Sequence, residues 1–112
     1  MNVEQVIIQN LVAAGYEAYA SAPNPMTSEF VTVERTGGGS TNKIDQAVLA
    51  VQCWADGRKA AADMADDVRC ALEDMTGTHG LGAVRVQSLY NWPDPLSRKS
   101  RYQLTVNATA HV

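Results

Sequence analysis

The segment from Ala47 to Met75 constrains this chain more than any other, because an apolar strand passes almost directly into an amphipathic helix. Val48-Leu49-Ala50-Val51-Gln52-Cys53-Trp54 reads as the strand. Beyond it, Ala61, Met64, Ala65, Val68, Leu72 and Met75 recur at steps of three, four and seven residues, while Asp63, Asp66, Arg69 and Glu73 fall elsewhere on the wheel. One helix face must therefore be buried. Asp56 is the expected N-cap, since its carboxylate can accept an early helix N–H at the positive end of the helix dipole. Thr76-Gly77 is the expected stop, as glycine permits a left-handed exit.

The rest of the chain is arranged around that unit. Asn2 can cap a first helix in which Val3, Val6, Ile7, Leu11 and Ala14 share a face, with Gly15 ending it. Tyr16 to Ala20 predicts a short strand, and Ser21-Ala22-Pro23-Asn24-Pro25 a loop, because two prolines remove backbone donors. Val31, Thr32 and Val33 predict a strand from Phe30 to Arg35. Thr36 to Asn42, with three successive glycines, has little to pack and predicts an exposed mobile loop.

Thr78 to Gly82 predicts a turn, followed by a strand in which Val84, Val86, Ser88 and Tyr90 alternate with Arg85, Gln87 and Leu89. In the last strand Tyr102, Leu104, Val106, Ala108 and Ala110 should face the core. Arg101, Gln103, Thr105, Asn107, Thr109 and His111 should face water or a partner. The connection Asn91 to Ser100 is longer than a tight hairpin needs, as functional loops often are. The expectation is an α+β fold: a mostly antiparallel sheet of four or five strands covered by two helices, with a polar sheet face wide enough for another copy.

At 112 residues the chain can build one modest core, so a single domain is expected. Nine basic and twelve acidic side chains give a formal charge of −3, which argues against a tight non-specific grip on nucleic acid. No apolar run approaches the roughly 20 residues of a membrane span, and the first residues lack a signal-peptide pattern. A soluble protein is expected, with Cys53 and Cys70 as free thiols in a reducing cytoplasm.

The residues that could carry chemistry make weak patterns. Asp63, Asp66 and Asp67 resemble a carboxylate cluster for Mg²⁺, but no second carboxylate motif accompanies them, and a solvated acidic helix face is the expected reading. His79 and His111 are not spaced with Cys53 or Cys70 as zinc ligands would be, and no Gly-flanked elbow places either thiol as a nucleophile. The glycine run lacks a phosphate-loop pattern around Lys43. No enzymatic activity, cofactor or metal is expected. Cys70 lies almost opposite the Met64, Val68 and Leu72 face, which leaves a second contact and a tolerated surface thiol both open. Trp92 either packs on its own domain or anchors a partner, with the partner favoured.

Four stretches together carry a resemblance: Val33-Glu34-Arg35-Thr36-Gly37-Gly38, Leu49-Ala50-Val51-Gln52-Cys53-Trp54-Ala55, Tyr90-Asn91-Trp92-Pro93-Asp94-Pro95 and Arg101-Tyr102-Gln103-Leu104-Thr105-Val106. Between Phe30 and Val106 the chain resembles the tail terminators of long-tailed bacteriophages and prophages, especially those of Gram-positive hosts. The resemblance implies a non-enzymatic virion protein, usually a hexameric ring, that ends growth of the tail tube, joins it to the head connector and leaves a lumen for DNA without binding it tightly. It places the protein in the virion tail, and in the host bacterial cytoplasm during assembly, with no membrane partner. The glycine run and the basic Ser97-Arg98-Lys99-Ser100 tip depart from the family pattern. The expected partner-binding residues are Arg35, Gly37, Gly38 and Gly39 in one loop and Tyr90, Asn91, Trp92, Pro93, Asp94, Pro95, Arg98, Lys99 and Arg101 around the other. Another head-to-tail connector component, or a small oligomeric ligand-binding accessory domain, is the competing expectation.

Overall fold

Asn2 caps the first helix as its sequence position predicts, its side-chain oxygen accepting the Gln5 N–H at 3.2 Å. The computed structural model describes residues 2–111 and runs α1 (Val3–Ala13), β1 (Ala18–Tyr19), β2 (Phe30–Thr41), β3 (Ile44–Ala55), α2 (Arg58–Glu73), β4 (Leu81–Asn91) and β5 (Ser100–His111). Helix α1 buries Val3, Ile7, Ile8 and Leu11, and Gly15 follows it at φ +103°, a left-handed conformation suited to glycine.

The five strands form one open sheet in the order β1-β2-β3-β5-β4, antiparallel except for the short β1–β2 pair. This is the α+β architecture expected. Helix α1 lies over β1 and β2, and α2 lies over β3, β4 and β5. Both helices cover the same face, because Ile7, Leu11, Ala65, Val68 and Leu72 join Val31, Val33, Leu49, Val51, Leu104 and Val106 in one buried cluster. The apolar stripe of α2 is the one its spacing predicts.

The structure corrects the sequence reading in four places. Thr36 to Asn42 is not a mobile loop, since β2 continues to Thr41 and pairs with β3 as far as Thr41 opposite Ile44. Asn42 and Lys43 make the turn at φ +54° and +63°, the double left-handed geometry that matches the twist of a two-residue hairpin. One of the three glycines is required for its missing side chain. Gly38 has φ +100°, and a Cβ there would collide with the carbonyl oxygen of Gln46.

Asp56 is not the N-cap of α2. Gly57 holds that position without a side-chain cap, and the Asp56 carboxylate instead accepts a hydrogen bond from Lys99 Nζ at 2.6 Å. The predicted alternation of β4 fails midway because the register shifts between Val86 and Ser88. A bulge turns the following residues over, so Leu89 packs on the core and Tyr90 on the opposite face, where strict alternation assigns the reverse. The short strand predicted over Tyr16 to Ala20 contracts to Ala18–Tyr19, paired with Val31 and Thr32.

A second bulge, between Arg35 and Gly37, marks where β2 leaves the helix layer. Arg35 grips Asp45 with two bonds of 2.6 and 2.7 Å, and its backbone N–H donates to Glu4 Oε2 at 2.8 Å, tying α1 to the bend. The paired Arg35 guanidinium holds the Asp45 carboxyl below the usual carboxylate range.

Candidate interaction surface

Because both helices sit on one side, the other face of the sheet carries no helix among the described residues, and the strand register decides which side chains meet on it; at one end of this face Phe30 and Trp54 are nonetheless buried. Phe30 lies opposite Trp54, and Trp54 opposite Arg101, on β2, β3 and β5. The Trp92 N–H donates to the Arg101 carbonyl at 2.8 Å and so extends this row to the β4 side. The rings follow the row. Tyr19 meets Phe30 edge-on at 6.4 Å, Phe30 stacks on Trp54 at 5.2 Å, and Tyr90 stacks on Trp92 at 5.8 Å. Between them the Arg101 guanidinium carbon is 4.9 Å from the Trp54 ring centre and 5.7 Å from that of Trp92, with Nε donating to the Trp92 carbonyl at 2.8 Å.

The next row is polar and equally continuous. Thr32, Gln52, Gln103 and Tyr90 are direct cross-strand partners on β2, β3, β5 and β4. Trp54 Nε1 donates to Thr32 Oγ1 at 3.1 Å, the Thr32 hydroxyl to Gln52 Oε1 at 3.2 Å, Gln52 Nε2 to Gln103 Oε1 at 2.8 Å, and Gln103 Nε2 to the Tyr90 hydroxyl at 2.8 Å. Every bond points the same way. Such a chain satisfies side chains that are buried at Thr32 and Gln103, and each bond polarises the next.

Towards the hairpin the face becomes plain. Between Glu34 on β2 and Arg85 on β4, the exposed side of β3 and β5 carries Ala50, Val48 and Gln46 beside Thr105, Asn107 and Thr109, none of them charged. Gly38, Gly39, Gln46, Arg85, Asn107 and Thr109 are among the residues that line a shallow concavity of about 370 Å³ there. Small neutral groups on a flat pleat suit close approach by another protein surface.

The predicted partner-binding residues divide into two groups. Tyr90, Trp92 and Arg101 come together, and Tyr90 and Trp92 remain 38% and 47% exposed. Pro93, Pro95 and Arg98 are exposed in the loop beside them, where Leu96 stands 92% exposed, and Asn91 closes β4 opposite Tyr102. Asp94 accepts the Leu96 N–H at 3.3 Å, and the Ser97 hydroxyl holds its carboxyl below the ordinary range. Lys99 is the exception. Its ammonium is bound to Asp56 and to the Ser28 carbonyl with its side chain only 12% exposed, so it fastens two loops instead of forming an electropositive rim.

Arg35, Gly37, Gly38 and Gly39 lie at the other end of the sheet. Trp54 and Ala47, which mark the two levels on β3, are separated by about 24 Å at the usual strand rise. Sequence reasoning missed Thr32, Gln52, Trp54 and Gln103 as members of this surface. Two glutamines and a tryptophan within long strands were the available signal, but their meaning depends on register.

The other candidate chemistry is dispersed. Burial pushes the Cys53 thiol up to about 12, which suppresses the thiolate a nucleophile needs, while Cys70 is exposed on α2. Among the described residues no three His, Cys, Asp or Glu side chains converge as metal ligands, and no helix is long and apolar enough to cross a membrane. No protein-family model matches the chain, and no curated protein matches it.

Proposed function

We propose that this chain is a structural subunit of the tail-terminator type, which assembles into a ring, of six copies in keeping with the resemblance, on the end of a phage tail tube. There it stops tube growth and offers the joining surface for the head connector. The observation that carries this reading is the sheet face that carries no helix among the described residues, bounded at one end by exposed Trp92, Tyr90 and Leu96. The four stretches of the resemblance fall on β2, β3, β4 and β5 and the connection after β4, and they supply Trp54, Tyr90, Trp92 and Arg101 to one aromatic cluster. A face and a loop cluster at different places on one subunit can serve self-association and a second partner separately.

The test joins two measurements. Native mass measurement of the purified chain should give a closed oligomer, and Trp92→Ala, folded by circular dichroism, should give overlong or headless tails by electron microscopy. A chain that stays monomeric at all concentrations, with normal capped tails from the Trp92→Ala protein, overturns the proposal. The concavity of about 370 Å³ supports a second reading, a small oligomeric ligand-binding accessory domain, since its volume falls within the range of small-molecule sites. Arg85→Ala separates the two, because it alters that concavity and leaves Trp92 untouched.

A further inference from the structure

The hydrogen-bond chain across the sheet ends at the Tyr90 hydroxyl, and its direction fixes what that hydroxyl can do. Its oxygen already accepts from Gln103 Nε2 at 2.8 Å, so its own proton is available outward and finds no acceptor among the described residues. Arg101 is in a similar condition. Its Nε is engaged by the Trp92 carbonyl at 2.8 Å and its plane lies by two indole rings, yet Nη1 and Nη2 have no hydrogen-bond or ion-pair partner among the described residues. The Trp92 indole N–H is free in the same sense. Both the Arg101 guanidinium and the Tyr90 ring lie within 6 Å of the Trp92 ring, at 5.7 and 5.8 Å. Three side chains with unpartnered donors, Tyr90, Arg101 and Trp92, thus cluster at this half-exposed end.

We propose that Arg101, Tyr90 and the Trp92 indole form a receptor for a carboxylate side chain of a partner protein, an inference that rests on the reading of this loop end as a partner-binding surface. A guanidinium fork accepts the two oxygens of a carboxylate in one plane, and a fork already held by stacking and by its Nε loses little freedom on binding. Asp94 does not fill the site. Its carboxylate bonds the Leu96 N–H and the Ser97 hydroxyl; it lies near enough to feel the Arg101 charge but outside ion-pair distance.

Charge and surroundings select a protein carboxylate over a nucleic-acid phosphate. Lys99 is paired with Asp56, and the cations without an ion pair at this end among the described residues, Arg58, Arg98 and Arg101, are fewer than the roughly six or more phosphate contacts of a strong polyanion site. Leu96, Trp92 and Tyr90 supply an apolar rim that a protein surface can cover.

The full chain, labelled with nitrogen-15, is titrated with sodium acetate as the probe, with sodium chloride at matched ionic strength and sodium phosphate as references. Acetate should move the Trp92 and Trp54 indole N–H and Arg101 Nε–H signals to saturation, and chloride should not. Tyr90→Phe, which keeps the ring and removes the proton, should weaken acetate binding by about tenfold, the scale of one lost hydrogen bond to a charged group. Arg101→Lys should abolish saturation. Equal responses to acetate and chloride, tighter binding of phosphate than of acetate, or an unchanged affinity in Tyr90→Phe each overturn the proposal. Because the titration uses the isolated chain, its failure leaves the ring reading standing, whereas a chain that stays monomeric, with normal tails from Trp92→Ala, would remove the ring reading and leave the titration result as measured.

Discussion

Gly38 and Gly39 are neighbours in one run, yet they answer to different constraints. At Gly38 the positive φ and the nearby Gln46 carbonyl both exclude a side chain, so Gly38→Ala should cost at least about 1 to 3 kcal/mol in urea unfolding. At Gly39 the space is open, and Gly39→Ala should change stability by no more than about 0.5 kcal/mol. Asp45 gives a pH-dependent counterpart. Its folded carboxyl is depressed below the unfolded value by Arg35, so its stabilisation is complete above the unfolded value near 4 and is lost as pH falls through the depressed folded value. Asp45→Asn should therefore be less stable than the native chain at pH 7, with the gap narrowing in acid melts below about pH 4. The two cysteines also separate at this scale: a thiol reagent should label Cys70 in the folded protein and Cys53 only after unfolding.

At the scale of elements, the row Thr32, Gln52, Gln103 and Tyr90 joins four strands through side chains as well as through the backbone ladder. Shifting any of these strands by one residue would send its member of the row to the helix face, so the row reinforces the register. Gln103→Leu removes a partner from both Gln52 and Tyr90 and should cost about 1 to 3 kcal/mol by chemical denaturation. A double-mutant cycle between Gln52→Ala and Gln103→Ala should show coupling of at least about 0.5 kcal/mol, and additive effects would mean that the bond contributes nothing. Helix α2 obeys the simpler rule of burial. Leu72 is fully buried on its apolar stripe, and Leu72→Ala should cost about 2 to 5 kcal/mol.

For the whole molecule, the decisive asymmetry is a sheet with helices on one face only. That layout leaves a sheet face about four strands wide, uncharged towards the hairpin across β3 and β5, with an aromatic cluster at its other end. If the proposed ring reading holds, a subunit of net charge −3 around a DNA path should let the duplex slide, since its acidic balance disfavours displacement of the duplex's counterions. Duplex DNA should accordingly show no salt-sensitive binding to the purified chain in a fluorescence titration. Submicromolar affinity at physiological salt that falls steeply with added salt would contradict that picture.

Local sequence was sufficient wherever one element's own periodicity decided the outcome. The face of α2, the Asn2 cap, the Gly15 stop and the in-out alternation of β5 from Leu104 to Ala110 are properties of residues a few positions apart, and the fold class follows from their order. Tertiary structure decided what depends on pairing between distant segments. The glycine run carries too few side chains to announce a strand, and it becomes one because Ile44 to Val48 supply the ladder. Asp56 is lost as a cap because Lys99, 43 positions later, competes for its carboxylate. The bulge after Val86 reverses the face of Leu89 and Tyr90, and with it the aromatic cluster that Tyr90 joins. Arg101, Trp92 and Tyr90 were legible as candidates because an overlong loop joins their strands, whereas Thr32, Gln52, Trp54 and Gln103 were not. A side chain's neighbours across a sheet are set by register, and register is fixed only when the strands have paired.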